Sequence, residues 1–201
     1  MKLFLQASSG QPTIALWDGG LVFEQEFAPF ARPDYAKSLK AALAQAGLEM
    51  TALDGIIIDI GPGRLGATRS AVAFANGLGF ALGIPLIGLN SFVLLGSYVE
   101  ALHHTPCLVL RKAARNQYHW ALVKSAKIFE AGFADQDEIR LAYRGPLCVA
   151  GDAAKSLALP DHPDATWHDL AFAPARVLQY LDIEARQTRH SVVPLIDSAG
   201  L

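Results

Sequence analysis

The apolar positions of the chain fall into short runs and one longer periodic stretch, and turn residues punctuate them. Lys2 to Ala7 (KLFLQA) reads as a first strand. TIALW and LVFEQEF flank Asp18-Gly19-Gly20, the pattern of a β-hairpin. Pro33 and Asp34 open a helix, PDYAKSLKAALAQAG, which Gly47 ends. Leu39, Leu43 and Ala46 mark its apolar stripe, while Ala36, Ala41 and Ala44 leave the remainder small and smooth. Gly55 to Ile60 (GIIIDI) is a continuous apolar run between turn signals, as expected of a strand covered on both faces.

A glycine-rich turn follows, and the spacing beyond it predicts a helix over 65–82. IPLIGL reads as a buried strand and Ser91 to Leu102 as a third helix. The first half is therefore β-β-β-α-β-α-β-α. A second half begins near Thr105-Pro106. In it CLVLR, QYHWALVKSAKIFE and PLCVA read as strands, and DQDEIRLA and APARVLQYLDIEAR as helices. The tail SVVPLIDSAGL carries no assignment. Two α/β lobes are predicted, 1–104 and 105–201.

No residue from Ser70 to Val99 is charged, so a membrane span has to be considered. A spanning helix needs about 20 continuous apolar residues. Pro85, with Gly83 just ahead, stops the helix short of that length. The N-terminus MKLFLQASSG has too short an apolar run for a signal peptide. No membrane association is expected, and the location is expected to be cytoplasmic.

Composition narrows the partners. Of the 201 residues 52% are hydrophobic, and 17 basic against 19 acidic side chains give a net charge of -2. A chain that binds nucleic acid alone needs a basic surface, because phosphate neutralisation supplies most of the affinity. No direct nucleic-acid binding is expected here. Cys107 and Cys148 both lie in apolar runs and read as buried small hydrophobes. His103-His104 suits a helix C-terminus. No H-E-x-x-H or G-x-S-x-G is present, so zinc-peptidase and serine-hydrolase readings lack their signatures.

Gly61, Gly66 and Thr68 come close to a P-loop, with a strand before and a helix after. The lysine position is Ala67, and Pro62 removes a backbone donor. The charge that such a loop sets against the terminal phosphates is missing. The glycines then serve a tight strand-to-helix turn. Gly77, Gly79 and Gly83 are expected to permit close packing. Asp59, just before the turn, is expected to satisfy turn amides.

Gly61-Pro62-Gly63, Arg69 and AFANGLGFALGIPLIGLNSF resemble the TsaB/YeaZ family, the bacterial scaffold subunit in synthesis of threonylcarbamoyladenosine on tRNA. The family's segment runs approximately G-P-G-S-F-T-G-L-R-x-G, then A-x-G-L-A-x-A-L, then I-P-L-x-G-V-S-S-L. The resemblance covers roughly residues 1 to 105. It implies an α/β fold of actin/Hsp70/sugar-kinase-like (ribonuclease H-like) type, with two lobes and mixed central sheets.

The chain departs from the family at three places. Arg64-Leu65-Gly66-Ala67 replaces S-F-T-G. Gln6-Ala7-Ser8 stands where the family's first strand ends in Asp-Thr-[Ser/Ala], the place at which catalytic relatives set a carboxylate near the nucleotide phosphates and metal. Arg111 lies near the position of the second lobe's aspartate. A phosphate-bound divalent ion needs anionic oxygens, and both positions have lost them.

The resemblance thus implies a non-catalytic subunit without a catalytic, cofactor or metal site of its own. It implies pairing with a TsaD-type catalytic subunit, which would hold ATP and Mg, and a homodimer when alone. The first two helices are the expected interface, with Ala36, Lys40, Ala44, Ala71, Ala75 and Leu78 on the contact face. Gly61, Pro62, Gly63 and Arg69 form the structural turn that aims the second helix. The alternative is a nucleotide-dependent transferase or kinase of the same fold.

Overall fold

The computed structural model describes residues 1–113, 116–152 and 159–195. The first sheet is built from β1 (Lys2–Gln6), β2 (Thr13–Trp17), β3 (Leu21–Glu26), β4 (Gly55–Gly61) and β5 (Leu86–Asn90), in the order β3-β2-β1-β4-β5. β1, β2 and β3 run antiparallel through hairpins, whereas β4 and β5 join β1 in parallel. The second sheet repeats this plan. β6 (Cys107–Lys112), β7 (Gln117–Lys124), β8 (Lys127–Asp135), β9 (Cys148–Gly151) and β10 (Thr166–Trp167) lie in the order β10-β9-β6-β7-β8. β6 is thus the counterpart of β1 and β9 that of β4. The chain is α/β with two mixed five-stranded sheets, the arrangement of the actin-like fold.

Among the described residues three α-helices connect the strands. α1 (Tyr35–Gln45) starts at Asp34, whose carboxylate accepts the Lys37 amide at 3.0 Å. α2 (Leu65–Leu82) ends at Gly83 in the left-handed conformation. α3 (Ser91–His103) is capped by Asn90 through the Phe92 amide at 2.8 Å. β4 is buried on both faces because α1 and α2 cover one side and α3 the other. Leu5, Ile56 and Ile58 pack with Leu39, Leu43, Ala71 and Ala75, while Phe4 and Ile57 pack with Val93, Leu94 and Tyr98. The opposite side of α3, Phe92, Leu95 and Val99, seals against Val109, Ala121 and Val123 of the second sheet. One helix thus serves two sheets, which accounts for the absence of charge over its first nine residues, Ser91 to Val99.

The second lobe has fewer helices than the sequence predicts. DQDEIRLA forms only a 3-10 turn over Gln136–Glu138, and APARVLQYLDIEAR a 3-10 helix over Ala175–Tyr180. The first has Ile139 and Leu141 drawn into the sheet's core. In the second, Ala175, Val177 and Leu178 pack against the first sheet from two tight 3-10 turns. From Ala173 the chain runs back to the first lobe. Leu86 and Arg189 exchange backbone hydrogen bonds at 2.8 Å, and Leu195 donates to the Ile60 carbonyl. The last residues of the unassigned tail, 196–201, lie outside the described residues. Among the described residues no helix is long and apolar enough to cross a membrane.

Candidate functional site

Two features of the first lobe carry chemistry or recognition: the turn between β4 and α2, and the outer face of α1 and α2.

At the turn, Asp59 is fully buried. Its Oδ2 accepts the amides of Ala7 at 3.3 Å and Ser8 at 2.9 Å, and its Oδ1 accepts the Gly61 amide at 2.9 Å. Asp59 satisfies turn amides as expected, but those of two turns at once. Ser8 returns a bond through its carbonyl to the Arg64 amide at 2.8 Å. Gly63 permits this approach, since a Cβ there would strike the Ser8 carbonyl. Ser91 Oγ fixes the turn from the far side by donating to the Pro62 carbonyl at 2.6 Å. Gly61 takes a positive φ of 92°, open to glycine. Gly61 and Pro62 are buried, Gly63 is half-buried, and Arg69 is exposed on the first turns of α2.

Arg64, the first departure from the family pattern, gives α2 no side-chain cap. Its guanidinium lies 4.2 Å from the centroid of the Phe30 ring. The two side chains border a cavity of about 540 Å³ that Arg32, Tyr35, Gly66 and Ser70 also line. Nothing in the sequence marked Phe30 for this role.

The ends of β1 and β6 do not fit a metal-bound nucleotide. Asp59 has its oxygens committed to three N–H donors, which repel a cation. Arg111 is a buried cation at the second lobe's corresponding place, with Nη1 on the Ala171 carbonyl at 2.5 Å and 3.4 Å from Asp152. Among the described residues no group of three or more His, Cys, Asp or Glu side chains gathers to hold a metal ion.

Beneath the outer face, the ring of the buried Tyr35 stacks on Phe74 with centroids 5.6 Å apart, tying α1 to α2. Ala36, Lys40 and Ala44 lie along α1 one turn apart, all exposed. The predicted α2 face needs correction. Ala71 and Ala75 are 0% exposed and belong to the lobe's own core, and Leu78 is half-buried against it. The exposed stripe is instead Ala73, Gly77, Phe80 and Ala81, with Phe80 89% exposed. The glycines of α2 differ in role. Gly79 presses on β5, where a Cβ would meet Leu86 Cδ1 at 2.5 Å, whereas Gly77 faces open space. α2 carries small residues on every side, so no contrast in side-chain size marks its buried face.

Comparison with known proteins places this architecture. A solved Pseudomonas aeruginosa structure, described as an uncharacterized protein with similarity to peptidase YeaZ, superposes with a TM-score of 0.77 at 16% identity, over 96% of this chain and 97% of that one. YeaZ from the same organism superposes at 0.73 and 17% identity, over 89% and 90%. These likenesses show the fold. The family model TsaD, tRNA N6-adenosine threonylcarbamoyltransferase, matches residues 34–140.

The chain belongs to the TsaD/TsaB (YeaZ) family.

Within the family it is similar to the tRNA N6-adenosine threonylcarbamoyltransferase of Paracoccus denitrificans, 48% identical over 52 residues, or 26% of this chain and 15% of that protein. An uncharacterized protein of Mycobacterium tuberculosis is 38% identical over 81 residues, 40% of this chain and 36% of that one. The chain thus covers well under half the length of these curated relatives.

Proposed function

We propose that this chain is a non-catalytic scaffold subunit of the tRNA N6-threonylcarbamoyladenosine machinery. It docks through the outer face of α1 and α2 onto a TsaD-type catalytic subunit, and that subunit holds ATP and Mg. The observation that carries this reading is Phe80. Phe80 is 89% exposed and shares its stripe with Ala73, Gly77 and Ala81, so it stands as a large apolar anchor on a face small enough for a partner helix to cover. The small neighbours let a second helix approach closely around the ring, and Lys40 on α1 supplies a polar rim. Family membership and the YeaZ-like build support the assignment to tRNA modification.

In the partner's absence the same surface closes on a second copy, giving a homodimer. The net charge of -2 agrees with leaving tRNA contact to the partner. The function is carried out in the cytoplasm, where tRNA is modified. Co-expression with the TsaD-type subunit of the same cell, followed by co-purification, tests the pairing. Retention of the subunit by wild type and its loss with Phe80→Asp is the expected outcome.

A further inference from the structure

The three amides that meet on Asp59 come from two loops far apart in sequence. Ala7 and Ser8 close β1, and Gly61 closes β4. Neighbouring N–H groups that converge on one point make an anion nest, the device by which backbone turns hold phosphate. Here the anion is covalently part of the protein. The β1–β4 register runs from Lys2 opposite Gly55 to Leu5 opposite Ile58, and one further step sets Gln6 beside Asp59. Gln6, at the end of β1, carries a neutral amide. The carboxylate at this junction is that of Asp59 on the neighbouring strand, and it accepts from both turns.

Two further groups belong to this place. The Gln6 side-chain amide and Ser8 Oγ are buried, at 0% and 1% exposure, with no hydrogen-bond partner. Buried polar groups are normally paired, and these two lie on the residues that flank the nest, so the junction of β1 and β4 is polar although fully enclosed. The charge of Asp59 is felt beyond it: after burial itself, it is the second cause that pushes the Tyr35 hydroxyl up to about 12.

We propose that Asp59 is the resident anion of an oxyanion nest formed by the Ala7, Ser8 and Gly61 amides. Its carboxylate closes the nest to phosphate, and its removal opens a site for a small free oxyanion. The device fixes the junction of β1, β4 and α2 in one liganded-like arrangement, so the lobe needs no nucleotide to hold α2 in place. The claim concerns the chain alone and does not depend on the identity of its partner.

The test uses 15N-labelled full-length chain. In wild type, inorganic phosphate and Mg-ATP leave the amide resonances of Ala7, Ser8 and Gly61 unmoved. In Asp59→Ala, formate, which matches the lost carboxylate, and then phosphate shift those three resonances saturably. Either anion at about ten times its dissociation constant raises the variant's Tm by roughly 3–6 °C. Asp59→Asn keeps the side chain's shape without its charge and shows no such rescue. Saturable movement of the three amides in wild type overturns the proposal. So does a folded Asp59→Ala that responds to neither anion. Should Asp59→Ala fold only in formate, that dependence itself supports the nest, and the wild-type titration still decides whether it is closed.

Discussion

The ring of Tyr35, at the start of α1, lies on the ring of Phe74, halfway along α2, with centroids 5.6 Å apart and planes 26° from parallel. This contact sets the spacing of the two helices whose outer faces form the proposed docking surface. Phe74→Ala removes a half-buried ring and its stacking partner's support, at a cost of about 2 kcal/mol. Urea denaturation measures the loss. Binding of the TsaD-type subunit weakens along with it, because α1 and α2 no longer share one plane. A destabilised variant with unaltered binding would separate the stack from the interface.

Tyr35 also makes stability depend on alkaline pH. Burial, and then the charge of Asp59, raise its hydroxyl from 10.0 to about 12. Below pH 10 the hydroxyl is protonated in both folded and unfolded chains. Between 10 and 12 the unfolded chain ionises first and binds fewer protons, so stability falls as pH rises through this window. The expected loss is about 2 kcal/mol, and Tyr35→Phe abolishes that component of the pH profile. Denaturant midpoints at pH 9.5 and 11.5 for the two proteins give the answer.

Ala75 and Phe80 lie five residues apart on α2 yet respond oppositely to charge. Ala75→Asp buries an unpaired carboxylate in the first lobe's core and unfolds or severely destabilises the chain, by more than about 3 kcal/mol. Phe80→Asp faces solvent and leaves the Tm within a few degrees. Circular dichroism melts of the two variants distinguish a core position from a surface one. Equal melting of both would contradict the orientation of α2.

Asn76 adds a side-chain clamp to the backbone bonds that hold the returning C-terminal segment. Asn76 Nδ2 donates to the Val192 carbonyl and its Oδ1 accepts the Val192 amide, both at 2.9 Å, so the amide imitates a strand's pairing edge. Asn76→Ala breaks both bonds and loosens residues 189–195 at a cost of about 1–3 kcal/mol. Hydrogen exchange at Val192 and Leu195 accelerates by roughly 10- to 100-fold, while β4 and α3 keep their protection. Uniform acceleration across the first lobe would mean that the segment is integral to the core and not a strap on it.

Much of the first lobe was legible in the sequence because its signals are local. Asp18-Gly19-Gly20 makes the hairpin, Asp34 caps α1, Gly83 ends α2, and the GIIIDI run is buried between layers. The second lobe was less so. Its DQDE and APAR segments have helical composition, but Ile139, Leu141 and Val177 are claimed by the sheets' cores, which short 3-10 turns satisfy better. The interface was half legible. α1 shows its exposed residues by the contrast between Leu39 or Leu43 and Ala36 or Lys40. α2 has no such contrast, and its buried side is chosen by Leu86 pressing on Gly79, a contact across a loop. The Asp59 nest joins loops 51 and 52 residues apart, so only its anchor residue could be read in advance.

The most direct test of the docking surface is the affinity of this chain for the TsaD-type subunit of its own cell, measured by calorimetry for wild type and Phe80→Asp. A desolvated aromatic anchor contributes about 3 kcal/mol, so the account predicts measurable wild-type binding and at least about a 100-fold loss in the folded variant. A wild-type chain that does not bind the subunit, or a Phe80→Asp chain that binds it equally well, would contradict the account.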